Sequence, residues 1–178
     1  MIIDSSPLII FSKIGRFDLL QKICNHVQIT PSVYSEVMEG SKKNCIETNI
    51  IQELVEKKDI TIIEADKDSQ KDIKKIMLVY NIDNGEAESI ISALNLKHEE
   101  ILLDEISARI AAKSAGIAPI GSLRVLSLTY LKNIITKEEA KKLVLEMLES
   151  RYRFSSKIIA KFYNALDDYE KKRSQKKR

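Results

Sequence analysis

At 178 residues, 44% of them hydrophobic and 31% charged, the chain can bury a sizeable core and suits one domain with at most an appendage. No run approaches the roughly 18 uncharged apolar residues of a membrane span. Asp4 precedes the first Lys or Arg, so the basic start of a signal peptide is missing and a cytoplasmic protein is expected. The net charge of +3 is unevenly spread: residues 171–178 hold six of the 29 basic residues and no acid, leaving 23 basic against 26 acidic residues elsewhere. Such an end can contact nucleic-acid phosphates through Lys171, Lys172, Arg173, Lys176, Lys177 and Arg178, or simply be solvated and disordered.

Met1 to Ile3 read as a short buried strand that ends in Asp4, and the apolar run Leu8–Phe11 begins a helix behind it. Ser5 or Ser6 is expected to cap that helix, with Pro7 in its first turn, where a missing N–H costs nothing. Gly15 breaks the pattern and a second short helix starts at Phe17. Val27–Ile29 is a minimal strand, closed by Thr30-Pro31, which can cap and open a helix with Val33, Val37 and Tyr34 inward; Glu36 lies in that helix and Gly40 ends it.

Residues 46–57 are helical by spacing, and Ile60–Ile63 form a β-branched third strand. Asp66–Asp72 read as a charged linker to a helix around Ile73, Ile76, Met77 and Tyr80. Asn84-Gly85 suggests a turn before a helix over 86–96, whose Ala87, Ile90, Ile91 and Leu94 fall at inner-face spacing. Glu86 then stands in the first turn, where the helix dipole favours a carboxylate. Glu100–Asp104 repeats the opening theme of an apolar strand ending in an acid. A helix over 105–115, Gly116 and a Pro-containing edge strand at 117–120 follow, and beyond Gly121 the chain is helical over 122–132, 137–149 and 155–169. Strands alternating with helices through residue 120 predict a parallel α/β sheet with a helical appendage.

Cys24 and Cys45 have no ligand-like spacing, and neither His26 nor His98 pairs with them, which disfavours zinc and a thiol nucleophile. Carboxylates remain. Asp4 and Asp104 end strands, and Glu36 and Glu86 come early in helices. In open α/β sheets ligands bind outside the carboxyl ends of the strands. Four carboxylates there raise one another's pKa unless a cation neutralises them, and oxygen donors without His or Cys suit Mg²⁺ or Mn²⁺. The matching chemistry is attack of water on a phosphodiester. The bland alternative is that Asp4 only caps its helix.

The order of motifs resembles the PIN domain, a metal-dependent ribonuclease fold found in many toxins of prokaryotic toxin–antitoxin pairs. Ser6-Pro7-Leu8-Ile9, Gly85-Glu86-Ala87-Glu88 and Leu102-Leu103-Asp104 are similar to the "SPLI", "GEAE" and "LLD" motifs of one PIN-like subfamily. Pro31–Val37, Ala108-Arg109, Ala115–Ile117 and Gly121–Leu123 resemble further stretches of it, so that the likeness spans roughly residues 1–165. It implies a three-layer α/β/α fold with about five parallel strands over residues 1–135, a C-terminal helical extension at 136–170 packed on the same domain, and a basic disordered tail at 171–178. It also implies Asp4, Glu36, Glu86 and Asp104 as catalytic, metal-binding acids for Mg²⁺ or Mn²⁺, with Glu105 and Ser6 auxiliary. Glu88 reads as a supporting or solvent-exposed acid, and Glu99-Glu100 face water. The partners implied are RNA, a small antitoxin protein and a second copy of the chain.

The sequence departs from the family pattern in places. Glu86 stands where many members have Asp, Leu102 replaces a hydroxyl residue, and Glu105 follows Asp104 by one residue rather than two. Two other readings compete with the endoribonuclease. One is a binding module of the same fold whose site has drifted. The other is a phosphatase of the haloacid dehalogenase type, which requires a second Asp two residues after the first, where this chain has Ser6.

Overall fold

The computed structural model describes residues 1–39, 46–64 and 67–176; Gly40, Cys45, Asp66, Lys177 and Arg178 lie outside the described residues. The chain divides into two compact units, Met1–Ser122 and the residues from Leu123 onward. The first holds five strands: β1 (Ile2–Ile3), β2 (Val27–Ile29), β3 (Ile60–Ile62), β4 (Glu100–Leu102) and β5 (Ala118–Ile120). All pair in parallel, in the order β3-β2-β1-β4-β5. Pro119 therefore stands in an edge strand, where a residue without an N–H does least harm.

The topology explains why the chain's beginning matters. From β1 the chain steps outward to β2 and β3, then crosses back to lay β4 on β1's other side. The carboxyl ends of β1 and β4 flank the point where strand order reverses, the usual ligand crevice of such sheets. Ile2 is opposite Ile101 and Ile3 opposite Leu102, and all four are fully buried. Each such side chain contributes about 1.5–3 kcal/mol when taken out of water. Successive residues of a strand point to opposite faces. Ile2, Ile101 and Leu103 enter one apolar cluster with Ile73 of α5 (Gln70–Tyr80), Ile90 of α6 (Asn84–Asn95) and Ala108 of α7 (Ile106–Ser114). Ile3 and Leu102 go to the other face, where α1 (Ser5–Lys13) packs with α2 (Phe17–Ile23) and α4 (Ile46–Glu56). Helices on both faces make the three-layer α/β/α arrangement.

Several local expectations are corrected. Residue Asp4, not Ser5 or Ser6, occupies the N-cap position of α1, and its side chain makes no capping hydrogen bond. Asn84-Gly85 is not a turn but the first turn of α6, because Asp83 and Glu86 form a reciprocal capping box across it. Leu94 is exposed rather than inward; α6 is buried through most of its length among α3 (Pro31–Glu39), α5 and α7, and in its last turn Ala93 rather than Leu94 takes the inward place. The charged linker is shorter than expected, since Lys67–Ser69 form a 3₁₀ turn and α5 begins at Gln70.

The second unit holds most of α8 (Ser122–Leu131), with α9 (Lys137–Glu149) and α10 (Ser156–Lys176). The division falls at Ser122, before the residue-135 boundary read from the sequence. Lys137 at the start of α9 bridges Asp167 and Glu170 of α10, at 2.6 Å each. These are exposed pairs of the kind worth little individually. Lys171 onward was expected to be disordered, but α10 continues through Lys176, in keeping with the good helix propensity of Lys, Arg and Gln. No described helix is long and apolar enough to cross a membrane.

Candidate metal-binding acidic site

Asp4 carries the most strongly raised carboxyl pKa among the described residues. Its backbone N–H donates to Leu102 O at 3.0 Å, so the residue continues the β1–β4 ladder and its side chain is held at the strand's end. It is 3% exposed, and its Oδ1 is buried with no hydrogen-bond partner among the described residues. Burial, followed by the charge of Glu86, raises its pKa from 3.8 to about 8; the Ser5 N–H works the other way, and Glu36 and Asp83 add to the rise. A capping carboxylate would look different. It would accept the N–H of the second or third helical residue, and Asp4 makes no such capping bond.

Glu86 comes to the same place from α6. Its Oε2 accepts the Asp83 N–H at 3.1 Å while its own N–H donates to Asp83 Oδ1 at 2.8 Å. Despite that bond, burial lifts its pKa from 4.5 to about 7, with Asp83, Glu105 and Glu36 contributing. Glu36 reaches in from α3. The Ser5 hydroxyl donates to its Oε1 at 3.0 Å, and its pKa is also raised, chiefly by desolvation. Gly85 makes this approach possible: a Cβ there would stand 3.3 Å from Glu36 Oε2 and 3.4 Å from Asp83 Oδ1. Three of the four expected acids thus share one electrostatic environment.

Asp104 behaves otherwise. It follows β4, beside β1, but its carboxylate accepts the Ser122 N–H at 2.9 Å and the Ser122 hydroxyl. Arg109 Nη1 lies close by, donating to Leu103 O at 2.7 Å. A Cβ on Gly121 would come within 2.7 Å of Asp104 Oδ1, so this turn also depends on a missing side chain. Glu105 is exposed and caps α7 through Ile106 N–H and Ser107 N–H, though its charge is felt at Glu86. Ser6 is exposed on α1; Ser5, its neighbour, makes the bond to Glu36.

Sequence reasoning missed Asp83. Asp83 adds charge at Asp4, Glu36 and Glu86. The D-x-x-E spacing of Asp83 to Glu86 was the available signal. Glu88 is 5% exposed and accepts the Ser32 N–H at 2.8 Å, so it does not face water as one expectation had it. Of the basic end, Lys171 and Lys172 are exposed on α10, and Arg173 and Lys176 lie on its helical backbone.

A family model described as a PIN domain matches residues 1–168. The chain belongs to the PIN domain family. PIN domains are generally nucleases that use divalent metal ions and bind nucleic acid. No curated protein and no solved structure matched this chain.

Among the described residues no group of three or more His, Cys, Asp or Glu side chains is arranged to hold a metal ion as it stands. The donor chemistry nevertheless fits a hard cation. The charged groups acting on Asp4 are carboxylates, Asp4 itself offers a buried oxygen with no hydrogen-bond partner among the described residues, and Mg²⁺ commonly takes only one or two carboxylates along with its waters.

Proposed function

We propose that this PIN domain is a Mg²⁺- or Mn²⁺-dependent endoribonuclease, the toxin of a toxin–antitoxin pair, acting in the cytoplasm. The observation that carries the reading is the unpartnered, buried Oδ1 of Asp4, at the sheet's reversal point and within the field of Glu86 and Glu36. Burial and mutual repulsion disfavour the charged form of these acids, and a bound cation would offset both.

Asp4 and Glu86 would hold the ion, with Glu36 from α3 and Asp104 from the segment after β4 completing the oxygen set. When bound, such an ion supplies a polarised water and offsets charge on the phosphodiester oxygens. The chain's own contribution is positional. Ser5 fixes Glu36 through Oε1 and leaves Oε2 beside Gly85, at a pocket lined by Ser32, Ser35, Glu39, Asp83 and Asn84. Lys171 and Lys172 on α10 supply charge that a phosphate backbone would meet. A small antitoxin and a second copy of the chain are the proposed protein partners.

A second reading, a PIN module that binds RNA or protein without cleaving it, is favoured by one feature: Asp104 is already engaged by Ser122. Incubation with single-stranded RNA separates the two. Cleavage that stops with chelator and returns with Mn²⁺ or Mg²⁺ supports the nuclease; binding with no cleavage under any divalent ion supports the module.

A further inference from the structure

We propose that Glu88 is a positioning residue, clamping the start of α3 to α6 so that Glu36 stands beside Glu86 and Asp4. This inference rests on the acidic-site reading above. Glu86 and Glu88 are two apart on α6, and such residues do not share a helix face. Glu86 is drawn to Asp83 and the end of β1, while Glu88 turns to α3 and accepts the N–H of Ser32, the second residue of that helix.

The first N–H groups of a helix lack partners within it, and its positive end favours a carboxylate. In α3 these needs are met from two directions. Thr30 Oγ1 accepts the Val33 N–H at 3.3 Å, a local cap. Glu88 supplies the long-range partner across 56 residues, from inside the core at 5% exposure. Asn84 Nδ2 donates to the Ser32 hydroxyl at 2.6 Å and makes a second tie between the same two helices.

Ser32 and Glu36 are four apart and so lie one above the other on one face of α3. Fixing Ser32 against α6 therefore fixes Glu36 against Gly85, one turn further along. The close fit there agrees with this register: a Cβ on Gly85 would touch Val33 Cγ2 at 3.7 Å as well as Glu36. A cap needed only for stability could come from a residue beside α3 in sequence, as Thr30 does. A buried acid from α6 couples the placement of one site helix to the other.

Three variants test this: Glu88→Ala, Glu88→Gln and Asn84→Ala. Gln keeps an oxygen that can accept the Ser32 N–H, whereas Ala does not. Mn²⁺ binding is read by titration calorimetry, and the Val33–Gly85 proximity by nuclear Overhauser contacts without added ion. Glu88→Ala should weaken Mn²⁺ binding about 10- to 100-fold, the usual cost of losing a group that orients a ligand, and should lose the Val33–Gly85 contact. Glu88→Gln should restore both, and Asn84→Ala should shift both less and in the same direction. Should Glu88→Ala fail to fold, the Gln and Asn84 variants still decide. Glu88→Ala with wild-type Mn²⁺ affinity and an intact Val33–Gly85 contact would show a cap for stability alone. Glu88→Gln as impaired as Ala in Mn²⁺ binding, with the contact intact, would make Glu88 a ligand instead. A wild-type protein that binds no Mn²⁺ would count against the acidic-site reading, while the Val33–Gly85 contact would still test the clamp.

Discussion

Ser122 donates twice to Asp104, through its backbone N–H at 2.9 Å and through its hydroxyl. The fourth strand's acid is thereby tied to the turn after β5 and oriented by it. Gly121 lets that turn close, since a Cβ there would meet Asp104 Oδ1 at 2.7 Å and Arg109 Nη1 at 3.2 Å. Gly121→Ala should push the Asp104 carboxylate off Ser122 while leaving the sheet paired. Metal affinity and cleavage should fall about tenfold or more, with a smaller effect from Ser122→Ala. Activity assays beside far-UV circular dichroism check this; a Gly121→Ala protein with full activity would mean that Asp104's orientation does not matter.

The raised pKa values of Asp4, to about 8, and Glu86, to about 7, make a prediction about stability. A carboxyl raised by folding keeps its proton in the folded state at pH values where the unfolded chain has lost it. The folded state then binds more protons, so stability is greatest at low pH and is lost as pH climbs toward the folded pKa. Without divalent ions, Tm should therefore decline between about pH 5 and pH 8. Asp4→Asn should flatten most of that slope, since the amide has no proton to lose. Excess Mn²⁺ should oppose the decline, because bound cation replaces the protons. A Tm that rises across this window would contradict protonation of these acids in the folded state.

Much of this arrangement was legible in the sequence because it depends on chain-local signals. Short apolar runs ending in Asp4 and Asp104 marked β1 and β4, and the helix spacing between them implied parallel crossovers. What could not be read was long-range. Nothing near Ser32 in sequence announces Glu88 as its partner, and nothing near Asp104 announces Ser122. Asn84-Gly85 misled for a different reason: the dipeptide favours turns in isolation, but the Asp83–Glu86 capping box holds it in a helix. Likewise Leu94 fits an inward spacing, yet it is Ala93 beside it that is fully buried in the core, and Leu94 falls on the open flank of α6.

The basic end should act in affinity rather than chemistry. Deleting residues 171–178 removes six positive charges, shortening α10 from its last turns. RNA binding should weaken, and its salt slope should become shallower by up to about 4, at roughly 0.7 per phosphate contact for single strands. Turnover at saturating RNA should stay near wild type. An unchanged salt slope would show that these residues do not meet phosphate.

Asp4 is the anchor of the acidic site. Asp4→Asn keeps the side chain's shape at the end of β1 but removes its charge as an oxygen ligand. The variant should fold, with Tm in the absence of divalent ions equal to or above wild type because a source of repulsion is gone. Calorimetric Mn²⁺ binding should be lost or greatly weakened, and single-stranded RNA cleavage should fall at least about a hundredfold. Mn²⁺ titration and RNA cleavage measured on the same Asp4→Asn preparation test the site most directly. Loss of both with the fold intact is the predicted result; wild-type Mn²⁺ affinity and cleavage in that variant would contradict the acidic site at its centre.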